Sequence, residues 1–141
     1  MNREITRTER SATARQFAVR LSPTRRGARL ARLLTTAQLG DWGFPTETAA
    51  HIVAELAANA AGHGRVSGRD FLLSLTVSDA SRLRVEVTDT RGDRLPVRES
   101  PGPYAEGGRG LLIVEALADR WGVVEGPVPR KTVWAELDLV P

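Results

Sequence analysis

Glu55 and Asn59 stand four residues apart in the segment HIVAELAANAAGHG, which runs from His51 to Gly64. On a helix that spacing puts both side chains on one face. The Glu55 carboxylate can take a proton from an attacking hydroxyl or water. The Asn59 amide oxygen is a hard, neutral ligand of the kind Mg2+ accepts, because Mg2+ keeps several waters and takes few protein ligands. The same spacing also describes a plain surface pair. Asparagine is a mediocre helix former, however, so its place in mid-helix asks for a reason.

Asp89 is a second candidate. It extends the odd-numbered positions Leu83, Val85 and Val87, and strand alternation points it toward the core. A buried carboxylate is costly without hydrogen-bond donors. Either it caps the turn that follows, Thr90-Arg91-Gly92, or it forms the floor of a pocket and accepts a bond from an amino group such as the exocyclic amine of adenine. The third candidate is Glu106-Gly107-Gly108-Arg109-Gly110-Leu111, a glycine-rich stretch running into a helix. Free backbone N–H groups at a helix start attract anions, and glycine lets an anion approach closely. It is not a P-loop, since no Lys-Ser/Thr follows, and it lacks the strand and spacing of a dinucleotide fingerprint.

The elements that position these groups are legible from periodicity. Arg15 to Leu21 reads as a short strand. Ser22 as N-cap and Pro23 at the first helical position start a helix to about Leu39, stopped by Gly40. Its apolar residues are Ala28, Leu30, Ala31, Leu33 and Leu34. Thr46 to Ala61 forms a second helix with a stripe of Ala49, Ile52, Val53, Leu56 and Ala60, closed by the glycines around His63. Phe71–Val77, Leu83–Asp89 and Thr132–Leu139 alternate with period two, as strands with one buried face do. Leu111 to Trp121 reads as a further helix, and Val123-Val124 as another short strand. The expected architecture is α+β: a two-layer sandwich of a mixed, mostly antiparallel sheet with helices on one face. Residues 90–108, rich in Gly, Pro and Arg, form a long connection of the kind that is usually functional.

The chain has 141 residues, 41% of them hydrophobic, which suits one domain with one core. It has no cysteine, which excludes a disulfide framework and thiolate metal sites and fits a cytoplasmic protein. No apolar run approaches the ~20 residues of a membrane span, and the N-terminus has no secretory h-region. Net charge is +3, with Lys131 the lone lysine. Nine arginines from Arg3 to Arg32 face only Glu4 and Glu9 in the first 34 residues. They read as a solvated face, or as a surface for an acidic partner. Aromatic platforms for nucleic-acid bases are not interleaved with them.

A helix with Glu-x-x-x-Asn, a strand ending in Asp, and a long lid ending in Gly-x-Gly before a helix resembles the GHKL ATP-binding superfamily, which includes DNA gyrase, the MutL repair proteins and histidine kinases. The phrases ELAANAAGHG, RVEVTDTRGDRLP, GGRGLLIVEALADRWGV and KTVWAEL are similar to those of small stand-alone actinobacterial proteins related to anti-sigma factor serine/threonine kinases. The resemblance covers roughly residues 14 to 139 and implies a GHKL-type domain over 14–141, after a flexible basic segment at 1–13.

The resemblance implies ATP and Mg2+ as cofactors. Asn59 would hold Mg2+, Glu55 would be the general base, and Asp89 would bind the adenine amine. Gly108, Arg109, Gly110 and Leu111 would offer amides to the phosphates, residues 90–107 would be the lid, and Thr132 would lie near adenine. The family's second motif is often Asp-x-Gly-x-Gly. Here it is Asp89-Thr90-Arg91-Gly92-Asp93, with Arg91 and Asp93 in place of its glycines and Gly92 beside them in the nucleotide pocket. His63 reads as a helix-end residue, and His51, inside the nucleotide-binding helix, is not assigned a phosphoacceptor role. The implied function is a serine/threonine kinase acting on a small anti-anti-sigma protein. The alternative is a non-catalytic, ATP-responsive module that sequesters a sigma factor or another regulator. A homodimer is expected by analogy, and neither a membrane nor a nucleic-acid partner is.

Overall fold

The computed structural model describes residues 15–63, 69–89, 106–127 and 130–139, with the backbone alone at 63 and 106–110. The N-terminal segment, the glycine cap at Gly64 and the lid residues 90–105 lie outside the described residues.

Five strands form one sheet in the order β1-β2-β3-β5-β4: β1 Arg15–Leu21, β2 Phe71–Val77, β3 Arg82–Asp89, β4 Arg120–Glu125 and β5 Lys131–Asp138. All four described pairings are antiparallel. Three helices, α1 Arg25–Trp42, α2 Glu47–His63 and α3 Glu106–Leu117, complete the α+β architecture. The middle helix α2 packs against both of its neighbours and against the sheet at β2, β3 and β5.

Alternation decides which sheet face is covered. Phe71, Leu73, Leu75 and Val77 of β2, and Leu83, Val85 and Val87 of β3, are buried, as are Val133, Ala135 and Leu137 of β5. They meet the α2 stripe, in which Ala49, Ile52, Val53, Leu56 and Ala60 are all buried. The opposite sheet face carries a charged network. Arg84 donates to Glu86 at 2.7 Å and to Glu136 at 2.8 Å. Arg120 joins Glu136 at 2.9 Å to Asp138 at 3.2 Å, and Arg82 reaches Asp138 at 3.1 Å. The Arg84 guanidinium also lies 4.3 Å from the Trp134 ring centroid.

The first helix departs from expectation at both ends. Its N-cap is Thr24, whose hydroxyl accepts from the Gly27 N–H at 3.1 Å, while Ser22 bonds to the Thr24 hydroxyl at 2.8 Å. Ser22 and Pro23 therefore precede the helix. The helix also runs through Gly40 and ends at Gly43, where φ is +86°. There the Gly43 N–H reaches the Gly40 carbonyl at 3.0 Å, and the Phe44 N–H reaches the Leu39 carbonyl at 2.9 Å. Termination needs a left-handed residue, and Gly43 supplies it.

The stripe of α1 differs in part: Ala31 is buried and Ala28 and Leu34 pack on the core as expected, but the fully buried set is another. It is Gly27, Ala31, Thr35 and Leu39, whereas Leu30 is 41% and Leu33 56% exposed. Small residues at i, i+4 and i+8 allow close approach to the rest of the fold. The Thr35 hydroxyl is satisfied by the Ala31 carbonyl at 2.8 Å. A Cβ at Gly27 would collide with the Ser22 carbonyl oxygen, so glycine is what lets the chain leaving β1 fold tightly onto the first turn of α1.

The last helix ends earlier than expected, at Leu117, with the Ala118 N–H closing onto the Val114 carbonyl at 2.8 Å. Asp119 already belongs to the sheet edge: its N–H donates to Glu136 at 2.8 Å and its carboxylate accepts from the Asp138 N–H at 2.7 Å. Trp121 therefore sits in β4 and packs on the core from the strand. No helix among the described residues is long and apolar enough to cross a membrane.

Candidate functional site

Glu55 and Asn59 occupy successive turns of α2. The apolar stripe on the adjacent face is what fixes their direction, because burying Ile52, Val53, Leu56 and Ala60 leaves only one rotation for the helix. Glu55 opens onto a cleft of about 520 Å3 lined by Arg32, Glu47, Thr48, His51, Ala54 and Leu117 as well. Asn59 is half-buried, and its Oδ1 is fully buried with no hydrogen-bond partner among the described residues. A buried acceptor left unpaired costs roughly 1–3 kcal/mol. That cost is removed when a cation takes the oxygen as a ligand. Among the described residues no three His, Asp or Glu side chains gather to hold a metal. A Mg2+ ion on Asn59 would then draw its other ligands from water and phosphate, as Mg2+ commonly does.

Asp89 is 6% exposed at the end of β3, on the core face as alternation requires. It is not without interactions. Its register partner on β5 is Lys131, and on the same face β2 ends at the buried Phe71. The packing of α2 over β3 brings the Glu-Asn helix and the Asp strand into one layer boundary.

Other expected site residues are placed differently. Thr132 pairs with Thr88, and the two hydroxyls bond at 2.7 Å. One position along the strand from Lys131, Thr132 belongs to the opposite face and does not converge with Asp89. The helix α3 begins at Glu106, so Gly108, Arg109, Gly110 and Leu111 lie within it rather than ahead of it. The free amides of a helix are its first four. Counted from the residue before Glu106, these run to Gly108, which keeps Gly108 among the available donors and makes Arg109, Gly110 and Leu111 part of the hydrogen-bonded turn, as the fourth residues Ala28 and Ala50 are in the other two helices. Gly92, Arg91 and Asp93 lie outside the described residues.

Three residues at the site escape a motif-based reading. Lys131 faces Asp89, and the alternation of Val133, Ala135 and Leu137 already put it on that face. His51 lies 3.7 Å from Glu55, and its i,i+4 spacing was the available signal. Arg32 reaches the cleft from α1, which only the packing of α1 on α2 could reveal.

The family model described as a histidine kinase-like ATPase domain matches residues 8–136. Among curated proteins none matches. A solved structure of the RsbU and RsbW domains of Rv1364c from Mycobacterium tuberculosis superposes with a TM-score of 0.68 at 20% identity, over 90% of this chain and 33% of that one. The chain thus spans about a third of the length of that solved chain and shares a fold with it.

Proposed function

The chain belongs to the histidine kinase-like ATPase domain family, and from that premise we propose that it is an ATP-dependent serine/threonine kinase whose acceptor is a small anti-anti-sigma protein. Membership and fold make it a GHKL-type, ATP-binding regulatory domain. The finer reading is carried by one observation: a partly shielded carboxylate, Glu55, opens onto a large cleft one helical turn from Asn59, whose buried oxygen is left for a cation.

In this reading Asp89 accepts the adenine amine, and the first amides of α3 receive phosphate oxygens. Asn59 would hold Mg2+, which supplies neutralisation of phosphate charge when bound. Glu55 accepts the proton of the acceptor hydroxyl as that oxygen bonds to the γ-phosphorus, and the bond to the β–γ bridging oxygen breaks to leave ADP. Phosphoryl transfer asks mainly for positioning and charge stabilisation, which this set of groups supplies. A cytoplasmic setting follows from an ATP substrate and a regulatory partner.

The test is label transfer from radiolabelled ATP to a purified anti-anti-sigma protein. Glu55→Ala abolishes transfer while ATP binding survives. A variant that transfers as well as wild type removes Glu55 as the base. Arg91 and Asp93 in place of motif glycines favour the second reading, a nucleotide-responsive module that sequesters its partner. ATP binding with stable partner capture and no turnover is the result that would select it.

A further inference from the structure

Lys131 is the register partner of Asp89, the one buried carboxylate among the described residues. Alternation with the buried Val133, Ala135 and Leu137 puts the lysine on the same sheet face. It is half-buried, and on its other side it meets Glu125 of β4, which is exposed. Among the described residues no ion pair engages its ammonium. We propose that Lys131 donates to the ring nitrogen beside the amine that Asp89 accepts, so that the two residues together select adenine. This rests on the placement of adenine at Asp89 and is independent of whether phosphate is transferred.

Residues directly opposed on one face of an antiparallel pair have Cβ atoms about 4.5–5.5 Å apart. Two such side chains can reach neighbouring positions on the edge of one flat ring. Adenine offers there a donor, its amine, beside an acceptor, the bare ring nitrogen. A carboxylate and an ammonium match that order, since the first only accepts and the second only donates. Guanine reverses it, with a carbonyl oxygen in place of the amine and an N–H in place of the bare nitrogen. Seated the same way, guanine would set oxygen against Asp89 and hydrogen against Lys131, and both contacts would repel.

The residue type fits this role. Every other basic side chain of the protein apart from histidine is arginine, and the single lysine stands opposite this carboxylate. A guanidinium is a planar fork that grips a carboxylate through two parallel hydrogen bonds. At position 131 it would close Asp89 to an incoming amine. An ammonium is a compact charge with three donors on a flexible stem. It can turn to a ring nitrogen and leave the carboxylate open as an acceptor.

The experiment is calorimetric titration of the full chain with Mg2+–ATP and with Mg2+–1-deaza-ATP, in which the ring nitrogen is replaced by C–H. Wild type, Lys131→Met and Asp89→Asn are compared. Wild type binds ATP roughly tenfold or more tighter than the analogue, which leaves a charged donor unpaired. Lys131→Met binds the two nucleotides alike, near the wild-type affinity for the analogue. Equal affinities in wild type overturn the role of Lys131 and leave Asp89 in place, and that comparison needs no variant to fold. An equal loss for both nucleotides in Lys131→Met also overturns it, because the lysine then acts on the phosphates or on the fold. Unchanged ATP affinity in Asp89→Asn removes adenine from this end of the sheet, and the role of Lys131 with it.

Discussion

Thr88 and Thr132 share a 2.7 Å hydrogen bond on the sheet face turned away from Asp89. The adenine-binding role proposed for Asp89 and the threonine pair are therefore separable. Thr132→Val should cost about 1 kcal/mol of stability and leave ATP affinity unchanged. Asp89→Asn should weaken ATP roughly tenfold or more, because a carboxylate acceptor contributes more than a neutral one. Calorimetric titration of both variants distinguishes the faces, and loss of affinity in Thr132→Val alone would reverse the assignment.

Asn59 carries a stability cost in the absence of ligand. Replacing it with Ala removes the unpaired buried oxygen and inserts a better helix former. Nucleotide-free Asn59→Ala should therefore melt higher, by about 1 kcal/mol, while Mg2+ no longer strengthens its ATP binding. Thermal melts with and without ATP and Mg2+ read both effects together. Retention of the full Mg2+ effect in the variant would strip Asn59 of its role.

Two glycines near the end of α1 should respond in opposite directions. Gly40 is an ordinary helical position, and a methyl group there meets nothing within 4 Å. Gly40→Ala should stabilise by about 0.5–1 kcal/mol. Gly43 holds φ at +86°, so Gly43→Ala should destabilise by about 1 kcal/mol. Urea denaturation gives the two signs directly, and the assigned helix end is wrong if they agree.

The charged outer face predicts an acid sensitivity. The hydrogen bond from Arg120 holds the Glu136 carboxyl below its usual value, and the hydrogen bond from Arg82 does the same for Asp138. Groups with depressed folded values bind protons more readily when unfolded. Their contribution is thus present above about pH 4 and is lost as pH falls through the lower folded values. Glu136→Gln should flatten the acid limb of stability below pH ~4, with a small effect at neutral pH because the pairs are solvated. Circular dichroism against pH checks this, and an unchanged acid limb would show that the network is not its source.

Strict alternation made β2 and β3 legible, and with them the inward direction of Asp89. The α2 stripe was equally plain because large apolar residues recur at helical spacing. The α1 interface was legible only in part: Ala28, Ala31 and Leu34 pack on the core as their spacing implied, whereas Gly27 and Thr35 pack by being small, and Leu30 and Leu33 share the apolar spacing but are exposed. Trp121 suits a helix face and a strand face alike, and only the bonds of Asp119 to β5 decide between them. Thr132 was drawn to the nucleotide by motif likeness, although its own neighbours Val133 and Ala135 had already placed it on the other face. Motifs named the candidate residues; register and packing decided which of them meet.

The sheet order also fixes a sequence of assembly. Two neighbouring pairs, β2–β3 and β4–β5, join across short connections, whereas β1–β2 spans two helices and β3–β5 spans the whole segment that contains α3 and β4. Closing short loops is entropically easy, and distant pairings set the pace of folding. We expect pulsed hydrogen exchange during refolding to protect the two hairpins before the β3–β5 ladder, and simultaneous protection would refute that order. Asp89 and Lys131 are register partners at one end of this late seam. The nucleotide pocket proposed at Asp89 would thus come into being only as the two halves of the sheet are joined, and a ligand that binds there would act as a clasp on the slowest step of folding.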